Sequence, residues 1–232
     1  MKICFCLPGG SFTKLFFHSW TKLQRYLDKG EWDYGIRQRY QADMYQLRNG
    51  LVLNGEASYV ETEKLLPFKI ENDSGKQYDL SMWIDSDIVF EPEDFEKTYK
   101  AMIGYPEADM ITGFYMMTSE ARTSAVGYFG REDNGFKTDY ILQDKLREFA
   151  EAEKQYDLMP VDFSGFGWVM IRTKVFNAMT YPWFESKPTK RGSVTTFPTS
   201  DIFFFKKAKQ LGFKLFAHPK VVLGHEKQIV LR

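Results

Sequence analysis

An α/β/α sandwich around a mixed, largely parallel sheet is the fold class that this 232-residue sequence predicts. Three observations predict it. Apolar runs of strand length alternate with helical stretches through the first half of the chain. A continuous apolar run opens the chain and stops at Gly9 and Gly10. Another, at 78–84, stops at two aspartates, Asp85 and Asp87.

The elements follow in order. "KICFCLP" (2–8) reads as a buried first strand, and Ser11 can cap the helix after it. There Phe12, Phe16, Trp20, Leu23 and Leu27 form one apolar stripe at helical spacing. Residues 33–40 suit a short second strand, and 43–55 a helix with an internal glycine. Residues 56–76 read as mixed helix and loop. In "YDLSMWID" (78–85), Leu80, Met82 and Ile84 share one strand face. Pro92 suits a first helical position, and Phe95, Tyr99, Met102 and Ile103 give that helix its core stripe. Strands are expected over 108–117 and 125–132, the latter edge-like, and a charged surface helix over 139–156. "MPVDFSGFGWVMI" (159–171) puts glycines before a buried strand. A capped helix over 200–214 ends at Gly212, and 214–227 closes with a strand and a turn containing His225. The long irregular segment 185–199 has the character of a functional lid.

Composition narrows the function classes. The chain is 44% hydrophobic and 17% aromatic, so it folds around a substantial core. Lys plus Arg equals Asp plus Glu at 31 each, with no basic run of five, which offers nothing to nucleic acid. No window approaches 18 apolar residues, so no membrane span is expected, and no signal-peptide pattern opens the chain. Cys4 and Cys6 lie roughly 6.5 Å apart along one strand face, a spacing for packed thiols in a reducing compartment. A cytoplasmic location is the expectation. No internal repeat is evident, so 1–232 is read as one domain.

Burying carboxylates next to Trp83, Ile84, Ile88 and Val89 is costly without compensation. Asp85 and Asp87 stand where a parallel-type strand ends, the place where open α/β sheets bind ligands. A D-x-D pair there can hold a divalent cation, and the cation a diphosphate. Oxygen ligands suit Mg²⁺ or Mn²⁺. One aspartate capping a turn and the other in solvent is the alternative. His225 in "GHEK" is either an ordinary histidine or a third ligand. Asp201 reads as a helix N-cap, as a general base toward a hydroxyl, or as both, since a cap can face a cleft. Of the aromatics between 163 and 184, most suit the core. Trp183 and Phe184, just before the long segment, are the candidates for stacking on a ligand.

"CLPGGSFTKLFFHSW", "LRN" (47–49), "MWIDSDIVF", "VDFSGFGWVMI", "SDIFFFKKAKQLGFK" and "VVLGHEK", in this order, resemble GT-A glycosyltransferases. The compact enzymes encoded by large DNA viruses and phages are the most similar in character. The resemblance spans nearly the whole chain and implies a metal-dependent hexosyltransferase. The donor would be a nucleotide diphosphate sugar, with UDP favoured, and the acceptor a hydroxyl of a glycan or glycoprotein. It implies a nucleotide-sugar half at about 1–117 and an acceptor half at about 118–232, and the host cytoplasm as location if the source is viral. Pro8, Gly9 and Ser11 match the base and ribose contacts. Arg48 and Asn49 match an "RN" near the nucleotide, where Arg48 would bind diphosphate or else make a surface ion pair. Asp85, Ser86 and Asp87 match the D-x-D, and His225 completes the metal set. Asp162, Ser164 and Gly165 match the segment lining the acceptor side. Asp201 matches the base of inverting members. Ser200 departs from the resemblance, since relatives commonly carry "ED" there. His218 stands where an acidic residue is frequent and is read as structural.

Two other classes remain open on sequence. One is a Rossmann-type oxidoreductase, although "LPGGSF" is not G-x-G-x-x-G. The other is a non-catalytic nucleotide- or carbohydrate-binding relative. It has no chemical need for Asp85, Asp87, Asp201 and His225 together.

Overall fold

Strand β1 (Ile3–Pro8) is buried along its whole length and alternates between the two faces of a sheet. Ile3, Phe5 and Leu7 enter one core cluster and Cys4 and Cys6 the other. A computed structural model describes residues 1–57, 65–71, 73, 75–117, 123–130, 137–151, 158–191 and 193–227. Helix α1 (Lys14–Lys29) follows, then β2 (Tyr34–Arg39), α2 (Met44–Leu53), β3 (Leu80–Ile84) and the short β4 (Ile88–Val89). Next come α3 (Pro92–Gly104), β5 (Met110–Phe114), β6 (Thr123–Phe129), β7 (Thr138–Leu142) and α4 (Gln143–Glu151). The chain continues through β8 (Met159–Val161), β9 (Trp168–Arg172), α5 (Thr173–Ala178), β10 (Thr189–Arg191) and β11 (Val194–Thr196). It ends with α6 (Ser200–Gln210), β12 (Leu215–Val222) and β13 (Gly224–His225).

Seven strands form the main sheet in the order β2-β1-β3-β9-β5-β12-β8. Strands β1, β2, β3, β5 and β12 share one direction, and β9 and β8 oppose them. One face carries Phe16, Trp20, Leu23 and Leu27 of α1 with Phe95 and Met102 of α3. The other carries Leu47 and Leu51 of α2, Phe176 of α5, and Phe204, Phe205 and Ala208 of α6. Helices thus cover both faces, as a largely parallel sheet requires. The second face is dominated by rings: Phe184 stacks on Phe204 at 4.9 Å, and Phe166 meets Trp83 edge to face at 5.2 Å. Fully burying a ring such as Phe204 contributes about 2–3 kcal/mol.

Several local expectations change. Thr13, not Ser11, caps α1, because its Oγ1 accepts from Phe16 N at 3.3 Å. Phe12 precedes the helix and stacks on Phe16, centroids 5.1 Å apart. Ile103 leaves the α3 stripe for solvent. Residues 139–142 of the expected 139–156 helix belong instead to strand β7, which pairs antiparallel with β6 and buries Ile141. Residues 152–157 lie outside the described residues, as do 58–64 and 131–136. The segment 185–199 is irregular at 185–188 and 197–199 but carries a short ribbon between them. Thr189, Lys190 and Arg191 pair with Thr196, Thr195 and Val194 in an antiparallel ribbon. Pro92 does open α3, where Glu91 and Asp94 complete a capping box. Cys4 and Cys6 are free, buried thiols. No described helix is long and apolar enough to cross a membrane.

Candidate active site

The shared direction of β1, β3 and β5 brings their C-terminal ends to one edge of the sheet, and the predicted chemistry collects there. Asp85 and Asp87 leave β3 in a tight turn, in which Ile88 N donates to Asp85 O at 3.2 Å. Gly9, at φ +144°, lets the end of β1 lie against this turn. A side chain there would meet Ser86 Oγ at 2.8 Å. Thr13 N also donates to Ser86 O at 3.0 Å, so the start of α1 is tied to the same turn. From the far end of the chain, β13 pairs with β4 and sets His225 opposite Ile88.

A cavity of about 280 Å³ is lined by Asp85, Asp87, Ser164, Gly165, Asp201 and His225. Tyr115, Tyr140, Phe163, Thr199 and Lys227 complete much of its wall. A larger hollow of about 620 Å³ beside β7 and α4 contains no such grouping of carboxylates with a histidine. Chemistry therefore selects the smaller one.

His225 bridges two elements. Its Nδ1 meets Met116 O at 2.7 Å and its Nε2 meets Asp87 Oδ2 at 3.1 Å. Lys227 Nζ reaches the same Oδ2 at 2.8 Å. Burial works against the Asp87 carboxylate, but hydrogen bonds from His225 and Lys227 outweigh it and hold its pKa at about 2. For His225, burial opposes the charged ring. The Asp87 hydrogen bond and the Met116 carbonyl prevail, so its pKa is raised. Asp85 is half-buried in the wall of the cavity. Its enclosure, opposed by Arg48 and reinforced by Asp201 and Asp87, pushes its carboxyl up to about 6.

Asp201 lies in the first turn of α6, and Thr199 rather than Asp201 takes the N-cap position. Its Oδ1 pairs with Arg48 Nη1 and accepts from Ser200 Oγ at 3.4 Å. Arg48 also donates to Ser200 Oγ at 3.1 Å and lies over the Phe166 ring at 4.8 Å. It is a buried ion-pair partner rather than a surface one.

The remaining predicted residues stand outside the cavity. Asn49 Nδ2 donates to Tyr45 O and Phe184 O, and its Oδ1 accepts from Phe184 N, so its amide is committed within the protein. Asp162 accepts from Phe129 N at 2.9 Å and pairs with Lys209. Trp183 is 2% exposed and donates from Nε1 to Phe176 O at 2.9 Å. Phe184 is wholly buried, so both aromatics proposed for stacking are core residues. Pro8 is buried at the end of β1, with Gly9 and Ser11 beyond it at the rim beside Ser86. Sequence reasoning missed Tyr115 and Lys227. Lys227 was legible only as the last letter of "GHEK".

Two carboxylates and an imidazole are donor types that Mn²⁺ accepts. Among the described residues, no three His, Cys, Asp or Glu side chains form a metal-holding group as folded. The charge beside Asp87 is the Lys227 ammonium. Asp85 remains a carboxyl that a cation would relieve. The donor types therefore fit a divalent cation, provided Lys227 leaves Asp87.

No protein-family model and no curated protein matches the sequence. Solved structures do match. The crystal structure of A197 from STIV aligns with 100% of this chain and 97% of that one, at 17% identity and a TM-score of 0.52. GalNAc-T7, solved with UDP, GalNAc and Mn²⁺, aligns with 98% of this chain at 9% identity and a TM-score of 0.53. This chain spans 43% of the GalNAc-T7 chain. At such identities the likeness is one of fold. The seven-stranded mixed sheet, with its carboxylates gathered at the strand ends, is a GT-A glycosyltransferase fold.

Proposed function

We propose that the protein transfers a sugar from a nucleotide diphosphate sugar, UDP favoured, to a hydroxyl of a glycan or glycoprotein, with inversion. One observation carries this reading. Asp85, Asp87, Asp201 and His225, from distant parts of the chain, line one cavity at the sheet's carboxyl edge. GalNAc-T7, solved with UDP and Mn²⁺, supports it by fold.

The nucleotide would lie along Pro8, Gly9 and Ser11 and pass over Ser86 into the cavity. Asp85, Asp87 and His225 would hold Mn²⁺ or Mg²⁺, which when bound neutralises the leaving diphosphate as a Lewis acid. Asp201 takes the acceptor proton as the hydroxyl attacks the anomeric carbon. Both of its contacts among the described residues are to Oδ1, which leaves Oδ2 for the proton. Positive charge builds on the sugar ring in such displacements, and the surrounding carboxylates favour it. Residues at about 1–117, joined by His225, would supply the donor side, and those at about 118–232 the acceptor side. The 185–199 segment, which carries β10 and β11 and leads into α6, would close over the donor, excluding water.

A second reading has its own observation. Lys227 already occupies the position of a cation at Asp87. Transfer or binding without metal would then rely on Lys227 and Arg48.

Calorimetric titration with UDP and GDP, in Mn²⁺, Mg²⁺ or EDTA, tests both. UDP binding that needs metal and is lost in Asp87→Ala supports the first reading. UDP binding that survives EDTA supports the second. Binding of neither nucleotide removes both. Full transferase activity in Asp201→Asn would take the base role from Asp201, and a product with retained configuration would end the inverting proposal.

A further inference from the structure

Tyr115 follows β5 directly and sits in the cavity wall with 6% exposure. Its ring meets the His225 ring edge to face, centroids 5.2 Å apart. The backbone around it is tied to β6, since Ala125 N donates to Tyr115 O at 3.0 Å. Its hydroxyl accepts from Gly167 N at 3.0 Å. A phenol also has one proton to donate. Among the described residues that proton meets no acceptor, and a buried donor left so is uncommon in folded proteins.

The glycines of "SGFG" (164–167) gain a reason from this contact. A Cβ at Gly165 would lie 2.1 Å from the Tyr115 hydroxyl, and one at Gly167 would lie 2.7 Å from it. Any side chain at either position displaces the phenol. Gly165 N is in turn held by Ala125 O at 2.9 Å, so the loop and the tyrosine are braced by the same strand. Burial first, then the charges of Asp85 and Asp201, raise the phenol's pKa well above its ordinary value. A phenol is protonated at neutral pH even in water, so the group is a neutral donor.

We propose that Tyr115 is a specificity-determining contact: its hydroxyl, braced by Gly165 and Gly167, donates a hydrogen bond to a hydroxyl oxygen of the donor sugar. The proposal rests on the sugar-nucleotide reading of the cavity. A sugar hydroxyl suits this position because it both donates and accepts. It can give its own proton to a neighbouring carboxylate while accepting from Tyr115. A diphosphate has no proton to give and meets the carboxylates only through a cation. Tyr115 lines the same cavity as Asp85 and Asp201, the residues read as facing the diphosphate and the acceptor, and the transferred sugar has to lie between those two.

The test compares UDP with UDP-glucose, UDP-galactose, UDP-GlcNAc and UDP-GalNAc by calorimetry in Mn²⁺. The intact protein is expected to bind one of these sugars' nucleotides more tightly than UDP itself. In Tyr115→Phe, UDP affinity should stay within about twofold while the added affinity from the preferred sugar falls about tenfold, the size of one hydrogen bond. Gly167→Ala, whose Cβ would lie 2.7 Å from the hydroxyl, should give the same pattern by displacing the phenol, and it carries the test if Tyr115→Phe does not fold. Thermal melting of each variant establishes the folded state. An unchanged sugar contribution in folded Tyr115→Phe overturns the proposal and leaves the sugar-nucleotide reading intact. Equal affinity of the intact protein for UDP and all four sugar nucleotides also overturns it. Binding of none of them removes the reading and the proposal together.

Discussion

Arg48 on α2 and Asp201 on α6 form an enclosed ion pair, Nη1 to Oδ1, across 153 residues of sequence. Phe166 and Phe184 shield the guanidinium, and its Nε has no partner among the described residues. Removing Arg48 would leave Asp201 and the enclosed Asp85 without their nearest common cation. Arg48→Met is expected to cost about 3 kcal/mol in urea unfolding, at the lower end for a broken buried pair because Asp201 keeps a side open to the cavity. Arg48→Lys should recover part of this, since a point charge cannot also stack on Phe166. UDP affinity in folded Arg48→Lys then separates two roles. A loss assigns Arg48 to the diphosphate, and an unchanged value assigns it to holding Asp201.

Lys227 and a divalent cation compete for Asp87. Lys227→Met should tighten Mn²⁺ binding about two- to fivefold, the modest worth of a largely exposed ion pair. Asp87→Ala should abolish it. Free Mn²⁺ measured by electron paramagnetic resonance checks both, and an unchanged affinity in Lys227→Met would remove the competition.

Trp183 is expected to matter for stability and not for ligand. Trp183→Phe removes the indole hydrogen bond to Phe176 O, which keeps Met179 N as a donor, and leaves a small void, for a loss of about 1–2 kcal/mol. Nucleotide affinity should not change. A selective loss of sugar-nucleotide binding in a fully folded variant would restore the stacking role.

His218 imposes a pH dependence of its own. Burial first, then the charges of Lys97 and Lys220, lower its pKa from 6.5 to about 4. Between those values the unfolded chain binds a proton that the folded chain does not. Stability therefore rises with pH through this window and is lost as pH falls. The contribution is on the order of 2 kcal/mol once partial exposure is discounted. Asp85 acts in the opposite direction, so the informative quantity is a difference between proteins. Urea midpoints measured from pH 4 to 7 should rise less steeply in His218→Gln than in the parent. Parallel curves would remove His218 as the cause.

Local pattern was enough for much of the scaffold. Apolar runs located β1, β3, β5 and β12, helical spacing gave the buried stripe of α1, and Pro92 opened α3 where its fixed φ suits a first turn. Such features depend on neighbours a few residues apart, and backbone geometry dictates them. The D-x-D at the end of β3 was legible for the same reason. The ribbon at 189–196 was not, because a strand pair exposed on both sides needs no apolar alternation.

What the sequence by itself determined is therefore the succession of elements and the types of chemical group at their ends. Tertiary structure alone decided which groups meet. It inserted β9 antiparallel between β3 and β5, a choice that a uniformly apolar run cannot express. It turned Arg48 toward Asp201, closed Asn49 onto the Phe184 backbone, sank Trp183 into the core and set Tyr115 in the cavity wall. The contacts of Arg48 and Asn49 join residues more than a hundred positions apart. Their energies come from burial and pairing between elements, and no spacing within one element encodes them.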